Sequence, residues 1–97
     1  MSRVNKLVVT KAEADNIKDD VCNYESLAEL SFIVNPGEVY RATMPRNFGF
    51  DVEVELHVNC KMTLQDLVVV AADFHASVVP DAQKLTFHGL RGQRILF

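Results

Sequence analysis

The sequence predicts an α+β protein, a two-layer sandwich in which two helices pack on one face of a mostly antiparallel sheet of roughly four to six strands. Two observations predict this fold. From Phe50 to Cys60, apolar and polar side chains alternate without a break, as in a strand with one buried face. Thr10 and Thr63 each begin a capping box that is followed by apolar residues at helical spacing.

Composition indicates a single domain over residues 1–97. Apolar residues make up 48% of the chain and charged residues 24%, which is typical of a globular protein. The formal charge of -3 is too small to indicate a nucleic-acid binder, so nucleic acid is disfavoured as a partner. No apolar run reaches the ~18 residues of a membrane span, and the N-terminus lacks the apolar core of a signal peptide. We therefore expect a cytoplasmic protein with no membrane contact.

The absence of catalytic motifs favours a protein that is not an enzyme, and the two cysteines favour a reducing compartment. Cys22 and Cys60 are distant in sequence and form no CxxC motif. Two buried, reduced thiols are the simpler interpretation, and a structural disulfide is the alternative. Because GxSxG, Walker, GxGxxG and HExxH motifs are all missing, we predict no catalytic residue, no metal ligand and no cofactor.

The first half of the chain predicts one helix and three strands. Val4–Val9 reads as a short strand, and the Thr10–Glu13 capping box starts an amphipathic helix of about three turns that ends near Asn23. Residues 28–34 alternate as a second strand, and Tyr40, Ala42 and Met44 belong to a third.

A turn at residues 35–38, Asn-Pro-Gly-Glu, separates the second and third strands. We expect a hairpin whose loop is one residue longer than a two-residue Pro-Gly loop. This longer loop pairs Phe32 with Ala42 and Leu30 with Met44. This register keeps Arg41 out of the apolar face, because a slip by one residue would turn every side chain over.

The second half begins with a break at residues 45–49, before the strand Phe50–Cys60. The segment from Thr63 to Pro80 is predicted to be a largely buried helix, although the Val68–Val70 run favours a strand by propensity. Residues 84–88 form a further strand, and residues 89–94 a flexible basic turn. The apolar end, residues 95–97, is a paired final strand or a docked tail. The predicted order is β-α-β-β-β-α-β-β.

The solvent face of this sheet holds the first candidate site. We expect the helices to cover the face of Phe32, Ala42, Val54 and Leu56. The opposite face then carries an acidic stripe, defined as Asp51, Glu53 and Glu55, together with Glu29, Ser31, Arg41, Thr43 and His57. Aligned like charges repel, so folding alone gives little reason for the stripe.

The stripe and its neighbour His57 are candidates for contact with a protein partner that has a basic surface. A solvated strand face is the simpler alternative for all four residues. Carboxylates and a histidine could also bind a metal, but ligands spaced about 6.8 Å apart along one strand diverge.

Two other groups of residues are candidates for binding. Arg91 and Arg94, close to Gly89 and Gly92, could hold an anion, while an exposed turn is the simpler interpretation. Ile33 and Val39 fall on the nominally polar face near the hairpin tip, so we expect a contact there with a partner or with a second copy in a homodimer.

These observations favour a non-enzymatic protein-interaction domain, an inhibitor or antagonist of a protein partner, acting through its acidic sheet face. The first alternative is a nucleic-acid or phosphate-ligand binder that uses the C-terminal arginine turn. The second alternative is a small enzyme whose pocket forms on oligomerisation.

Overall fold

The computed structural model describes residues 4–17, 19–46 and 51–97. Within these ranges the chain forms two α-helices, α1 (Lys11–Asp15) and α2 (Leu64–Val78). Short 3-10 helices cover Asp19–Val21 and Ala28–Ser31. The same ranges contain nine strands, which are β1 (Val4–Val9), β2 (Cys22–Tyr24), β3 (Ile33–Val34), β4 (Val39–Met44), β5 (Val52–Val58), β6 (Met62–Thr63), β7 (Leu85–Phe87), β8 (Gly89–Arg91) and β9 (Arg94–Leu96).

Five of these described strands form the main sheet, in the order β1-β5-β4-β9-β8. The predicted class, an α+β fold with two helices on a sheet, is confirmed. The strand order differs from the prediction, and the sheet is mixed, because β1 lies parallel to β5 and β9 lies parallel to β4. Parallel neighbours need a crossover connection, and α1 and α2 lie within these two crossovers. The remaining strands pair as β2 with β7 and β3 with β6.

The core lies between the main sheet and α2. Along β5 the residues Val52, Val54, Leu56 and Val58 are buried, and the residues between them are half-buried. On β4 the buried positions are Tyr40, Ala42 and Met44, and Ala42 pairs with Val54. The predicted core face of these two strands is therefore confirmed.

Helix α2 runs from Leu64 to Val78, so the valine run Val68–Val70 is helical. All three valines are buried, and packing on a core outweighs their preference for strands. At the start of the helix, the Thr63 N–H donates to Asp66 Oδ2 at 3.0 Å, which confirms the capping box.

The Asp66 carboxylate also contacts Lys11 Nζ at 3.1 Å and links α1 to α2. Hydrogen bonds to Asp15 and Asp66 raise the pKa of Lys11.

The first helix is much shorter than predicted. Thr10 Oγ1 accepts the Glu13 N–H at 3.2 Å, as the capping box predicts, but α1 ends at Asp15. Residues 15, 16, 19 and 20 are Asp or Asn, which are poor residues for a helix interior. Cys22–Tyr24, predicted to be helical at its start, instead pairs in parallel with Leu85–Phe87.

The predicted strand at residues 28–34 is also wrong over most of its length. Ala28–Ser31 is a 3-10 helix, and Phe32 is 50% exposed instead of joining the core. The Glu29 carboxylate explains the turn, because its Oε1 accepts from Ser26 Oγ at 3.2 Å and its Oε2 accepts from the Leu90 N–H at 2.8 Å. Glu29 and Ser31 therefore do not belong to the solvent face of the main sheet.

The predicted hairpin between the second and third strands does not form. Ile33 and Val34 pair with Thr63 and Met62 of β6 and not with β4. The turn at residues 35–38 is present, and Gly37 adopts a φ of 91°. Its Gly37 N–H donates to Val58 O at 3.0 Å, so the turn is fixed to the end of β5, and β4 pairs with β5.

The C-terminal residues form a hairpin. Gly89–Arg91, predicted to be flexible, is the strand β8, and the turn contains only Gly92 and Gln93. The paired final strand is confirmed as β9, which lies between β4 and β8.

The predictions for Phe50 and for residues 47–49 lie outside the described residues. No helix in the described ranges is long and apolar enough to cross a membrane.

Both cysteines are free thiols, and their burial predicts different reactivity. Cys22 is 4% exposed, whereas Cys60 is half-buried. Burial raises the pKa of the Cys22 thiol, which lowers its thiolate fraction. We expect Cys22 in the native protein to react with Ellman's reagent at least about tenfold more slowly than Cys60. The variant Cys60→Ser should keep only the slow reaction, and an undiminished fast phase in this variant would contradict the assignment.

Candidate binding surface on the sheet

The candidate surface is the solvent face of the main sheet, opposite the face covered by α2. On β5 it presents Glu53, Glu55 and His57, which alternate with the buried residues. The neighbouring strands contribute side chains at matching register positions, which are Val4, Lys6 and Val8 on β1, Val39, Arg41 and Thr43 on β4, and Arg94 and Leu96 on β9.

Glu53 and Glu55 lie on the predicted face of β5, but both are half-buried instead of exposed, and Glu55 has partners. Its carboxylate lies 3.5 Å from Arg41 Nη2 and 2.9 Å from His57 Nε2, and Lys6 occupies the adjacent position on β1. Glu53 is half-buried, and Asp51, just before β5, is exposed. Among the ion pairs of the described residues, none involves Asp51 or Glu53. Asp51 and Glu53 are therefore the two acids of the stripe that lack a direct ion pair with a described residue.

Exposed apolar side chains border the stripe on β1. Val4 is 44% exposed and lies opposite Glu53, while Val8 is 61% exposed and lies opposite His57. Lys6 separates the two valines on the same face. Apolar side chains beside charged ones are the composition expected where another surface packs on a sheet.

The arginines occupy the other half of the solvent face. Arg94 on β9 pairs with Arg41 on β4 and with Arg91 on β8, so the three lie side by side on adjacent strands. All three are exposed, and Arg94 Nη1 donates to Thr43 Oγ1 at 3.1 Å. We call these three residues the arginine row. The sequence predicted an anion site at Arg91 and Arg94 and considered Arg41 and Arg46 as further binding residues, and the fold places Arg41 directly beside Arg94.

The two predicted apolar contact residues are on different sheets. Ile33 is 52% exposed on β3, which pairs with β6. Val39 is half-buried on β4, opposite His57 on the main sheet. The predicted shared hairpin tip is thus absent, because β3 does not pair with β4.

The other two histidines lie away from this surface. His75 is buried in α2, and its Nε2 lies 2.7 Å from the carbonyl oxygen of Pro45, so the Nε2–H donates. His88 Nδ1 lies 2.9 Å from the Glu25 carboxylate. In the part of the chain that the structure describes, no three His, Cys, Asp or Glu side chains converge as metal ligands.

Sequence reasoning missed Lys6, Val4 and Val8 as neighbours of the stripe. Their position depends on the parallel pairing of β1 with β5, which joins segments about fifty residues apart and has no local signal. Glu29 was also missed, although Ser26 and Glu29 have the S-x-x-E spacing of a capping box. That spacing is the signal that could have identified the 3-10 helix.

Comparison with known proteins gives no relative: no family model, curated protein or solved structure matches the chain.

Proposed function

We propose that the protein is a non-enzymatic interaction domain that binds a protein partner with a basic surface through the acidic stripe. The observation that supports this proposal most directly is the position of the stripe beside exposed apolar residues. Val4 and Val8 are 44% and 61% exposed and lie in register with Glu53 and His57. A partner could bury the two valines while its basic groups approach the acids.

The charges explain why the partner should be basic. Asp51 and Glu53 have no ion-pair partner among the described residues, so a local negative field remains at these two acids, although Lys6, Arg41 and Arg94 lie on the same face. Such a field attracts a basic surface and raises the association rate more than it lowers the dissociation rate. A domain that occupies a basic surface on its partner would inhibit whatever that surface normally binds.

A cytoplasmic location belongs to the same proposal. Cys22 and Cys60 are both free thiols, which is the state expected in a reducing compartment. A charged sheet face and free thiols are compatible with a protein that meets its partner there.

The test removes the two charges of the stripe that lack a direct ion pair with a described residue. We expect Asp51→Asn/Glu53→Gln to fold normally but to bind the partner with an on-rate about threefold to tenfold lower at low salt. The difference should shrink as salt screens the attraction. Wild-type protein and variant serve as parallel baits in affinity capture, and the captured protein is then measured by surface plasmon resonance at two salt concentrations.

The matched control is Glu13→Gln/Asp73→Asn, which removes the same two charge types from exposed positions on α1 and α2. This control should bind like wild type. Equal on-rates for the stripe variant and wild type at low salt would show that the stripe is only a solvated strand face. Sedimentation of the wild-type protein alone separates partner binding from formation of a homodimer.

A further inference from the structure

The arginine row brings three positive charges together on adjacent strands of the main sheet. Arg41 pairs with Arg94 in the parallel β4–β9 ladder, and Arg94 pairs with Arg91 in the antiparallel β9–β8 ladder. Neighbouring strands lie about 4.8 Å apart, so the row spans about 10 Å of the solvent face. All three side chains are exposed and can reach a ligand from solution.

Folding alone does not explain this arrangement. Like charges at directly opposite positions of a sheet are destabilising. Arg41 has Glu55 at 3.5 Å, and the Arg94 guanidinium donates to the neutral hydroxyl of Thr43. Within the described ranges, neither Arg94 nor Arg91 has a carboxylate at ion-pair distance. Among the described residues, two adjacent guanidinium groups therefore lack a direct ion pair, although Arg94 shares a small depression with Glu53 and Glu55.

The backbone around the row holds it in place. Gly92 has a φ of 63°, which fits the first central position of a two-residue hairpin turn, and Arg91 and Arg94 close this turn. The Arg41 N–H donates to Gln93 O at 2.8 Å and attaches β4 to the same turn. An open depression of about 350 Å³ lies over these residues, lined by Val39, Arg41, Arg91, Gln93 and Arg94.

We propose that the arginine row is an anion site that binds a phosphomonoester group. Each guanidinium offers planar pairs of N–H donors that match the oxygens of a phosphate, and neighbouring arginines can share one dianion. The short hairpin reduces the entropy lost on binding, because two of the three arginines are fixed relative to each other. This site adjoins the acidic stripe through the contact between Arg41 and Glu55, but the proposal does not rest on a partner of the stripe.

The surrounding charges favour a compact dianion over a long nucleic acid. Glu55 lies at one end of the row, and Glu53 and Asp51 lie beyond it on and beside β5. A polyanion that continued past the row would meet these carboxylates, whereas one phosphate group can bind at Arg91 and Arg94, on the side of Arg41 away from Glu55. The group could come from a small phosphate ester or from a phosphorylated side chain, which share the same terminal dianion.

The experiment measures pyrophosphate binding by calorimetry and by chemical-shift changes of the arginine Nε–H groups. We expect Arg91→Gln/Arg94→Gln to bind at least about tenfold more weakly, the effect of losing charged hydrogen bonds. Arg46→Gln is the matched control, because Arg46 is exposed and lies outside this depression, and it should bind like wild type. Arg91→Lys/Arg94→Lys keeps the charge but loses the paired donors, so it should also bind weakly while it folds normally.

Three further ligands distinguish the sources of the phosphate. Phenyl phosphate and a phosphoserine peptide test the small ester and the modified side chain, and binding of either at the row supports the proposal. A single-stranded oligonucleotide without terminal phosphates should bind more weakly than both. Absence of binding by both phenyl phosphate and the phosphoserine peptide, an equal loss in Arg46→Gln, or tightest binding by the oligonucleotide would each overturn the phosphomonoester assignment.

Discussion

Replacement of Leu56 by alanine is expected to lower the free energy of unfolding by about 2–5 kcal/mol. Leu56 is 0% exposed at the centre of β5, where it pairs with Tyr40 on one side and Leu7 on the other. Truncation removes its buried methyl groups and leaves a cavity that α2 and the sheet can only partly fill. Urea denaturation followed by circular dichroism measures the change.

The matched control for this result is Glu53→Gln on the opposite face of the same strand. Glu53 is half-buried and has no ion-pair partner among the described residues, so its free energy of unfolding should change by less than about 0.5 kcal/mol. A larger loss in Glu53→Gln than in Leu56→Ala would reverse the assignment of the two faces of β5.

Replacement of Phe87 by alanine should cost about 3–5 kcal/mol of unfolding free energy. Phe87 is 0% exposed on β7, and its carbonyl oxygen accepts the Glu25 N–H at 2.9 Å. Phe87 also pairs with Tyr24 in the small β2–β7 sheet, so its buried phenyl ring attaches this sheet to the core. The same denaturation experiment gives the value, with two-state behaviour checked by a second probe.

Phe32→Ala makes the identical chemical change at an exposed position. Phe32 is 50% exposed, so this variant should lose about 1 kcal/mol or less. Comparing Phe87→Ala with Phe32→Ala also tests the observed fold against the sequence prediction, which placed Phe32 in the core. Comparable losses in the two variants would mean that Phe32 is buried and that the 3-10 helix at Ala28–Ser31 is wrongly placed.

The elements predicted well are those whose signal is local and strong. Val52–Val58 alternates over its whole length, and a strand with one buried face is the only regular structure that satisfies this pattern. Helix α2 combines a capping box at Thr63 with a long apolar segment, and these outweigh the three consecutive valines.

The elements predicted poorly depend on contacts between distant residues. Cys22–Tyr24 becomes a strand because Leu85–Phe87 pairs with it, and nothing in the local pattern distinguishes it from a helix end. Residues 28–34 alternate like a strand, yet the Glu29 carboxylate reaches Leu90 and favours a 3-10 turn. Tertiary contacts decided the structure of both segments.

The sequence predicted the acidic stripe and the C-terminal arginines as two separate candidate sites. The acidic stripe followed from alternation alone, and it lies on the solvent face as expected. The adjacency of Arg41 to Arg94 required the parallel β4–β9 pairing, which joins residues on either side of α2. The sequence already placed Arg41 on the same face as the stripe, and the register of β4 on β5 brings it to Glu55.

The Glu29 carboxylate also affects how the main sheet meets other molecules. Strand β8 is an end strand of this sheet, and unpaired N–H groups on such a strand can pair with another chain and start aggregation. The Leu90 N–H already donates a hydrogen bond to the Glu29 carboxylate at 2.8 Å, so it is not available to donate to a strand of another chain. Gly89 permits this close approach, because a Cβ at that position would lie 3.2 Å from Glu29 Oε1. One side chain from the 3-10 helix thus occupies an edge N–H group that could otherwise start intermolecular β-pairing.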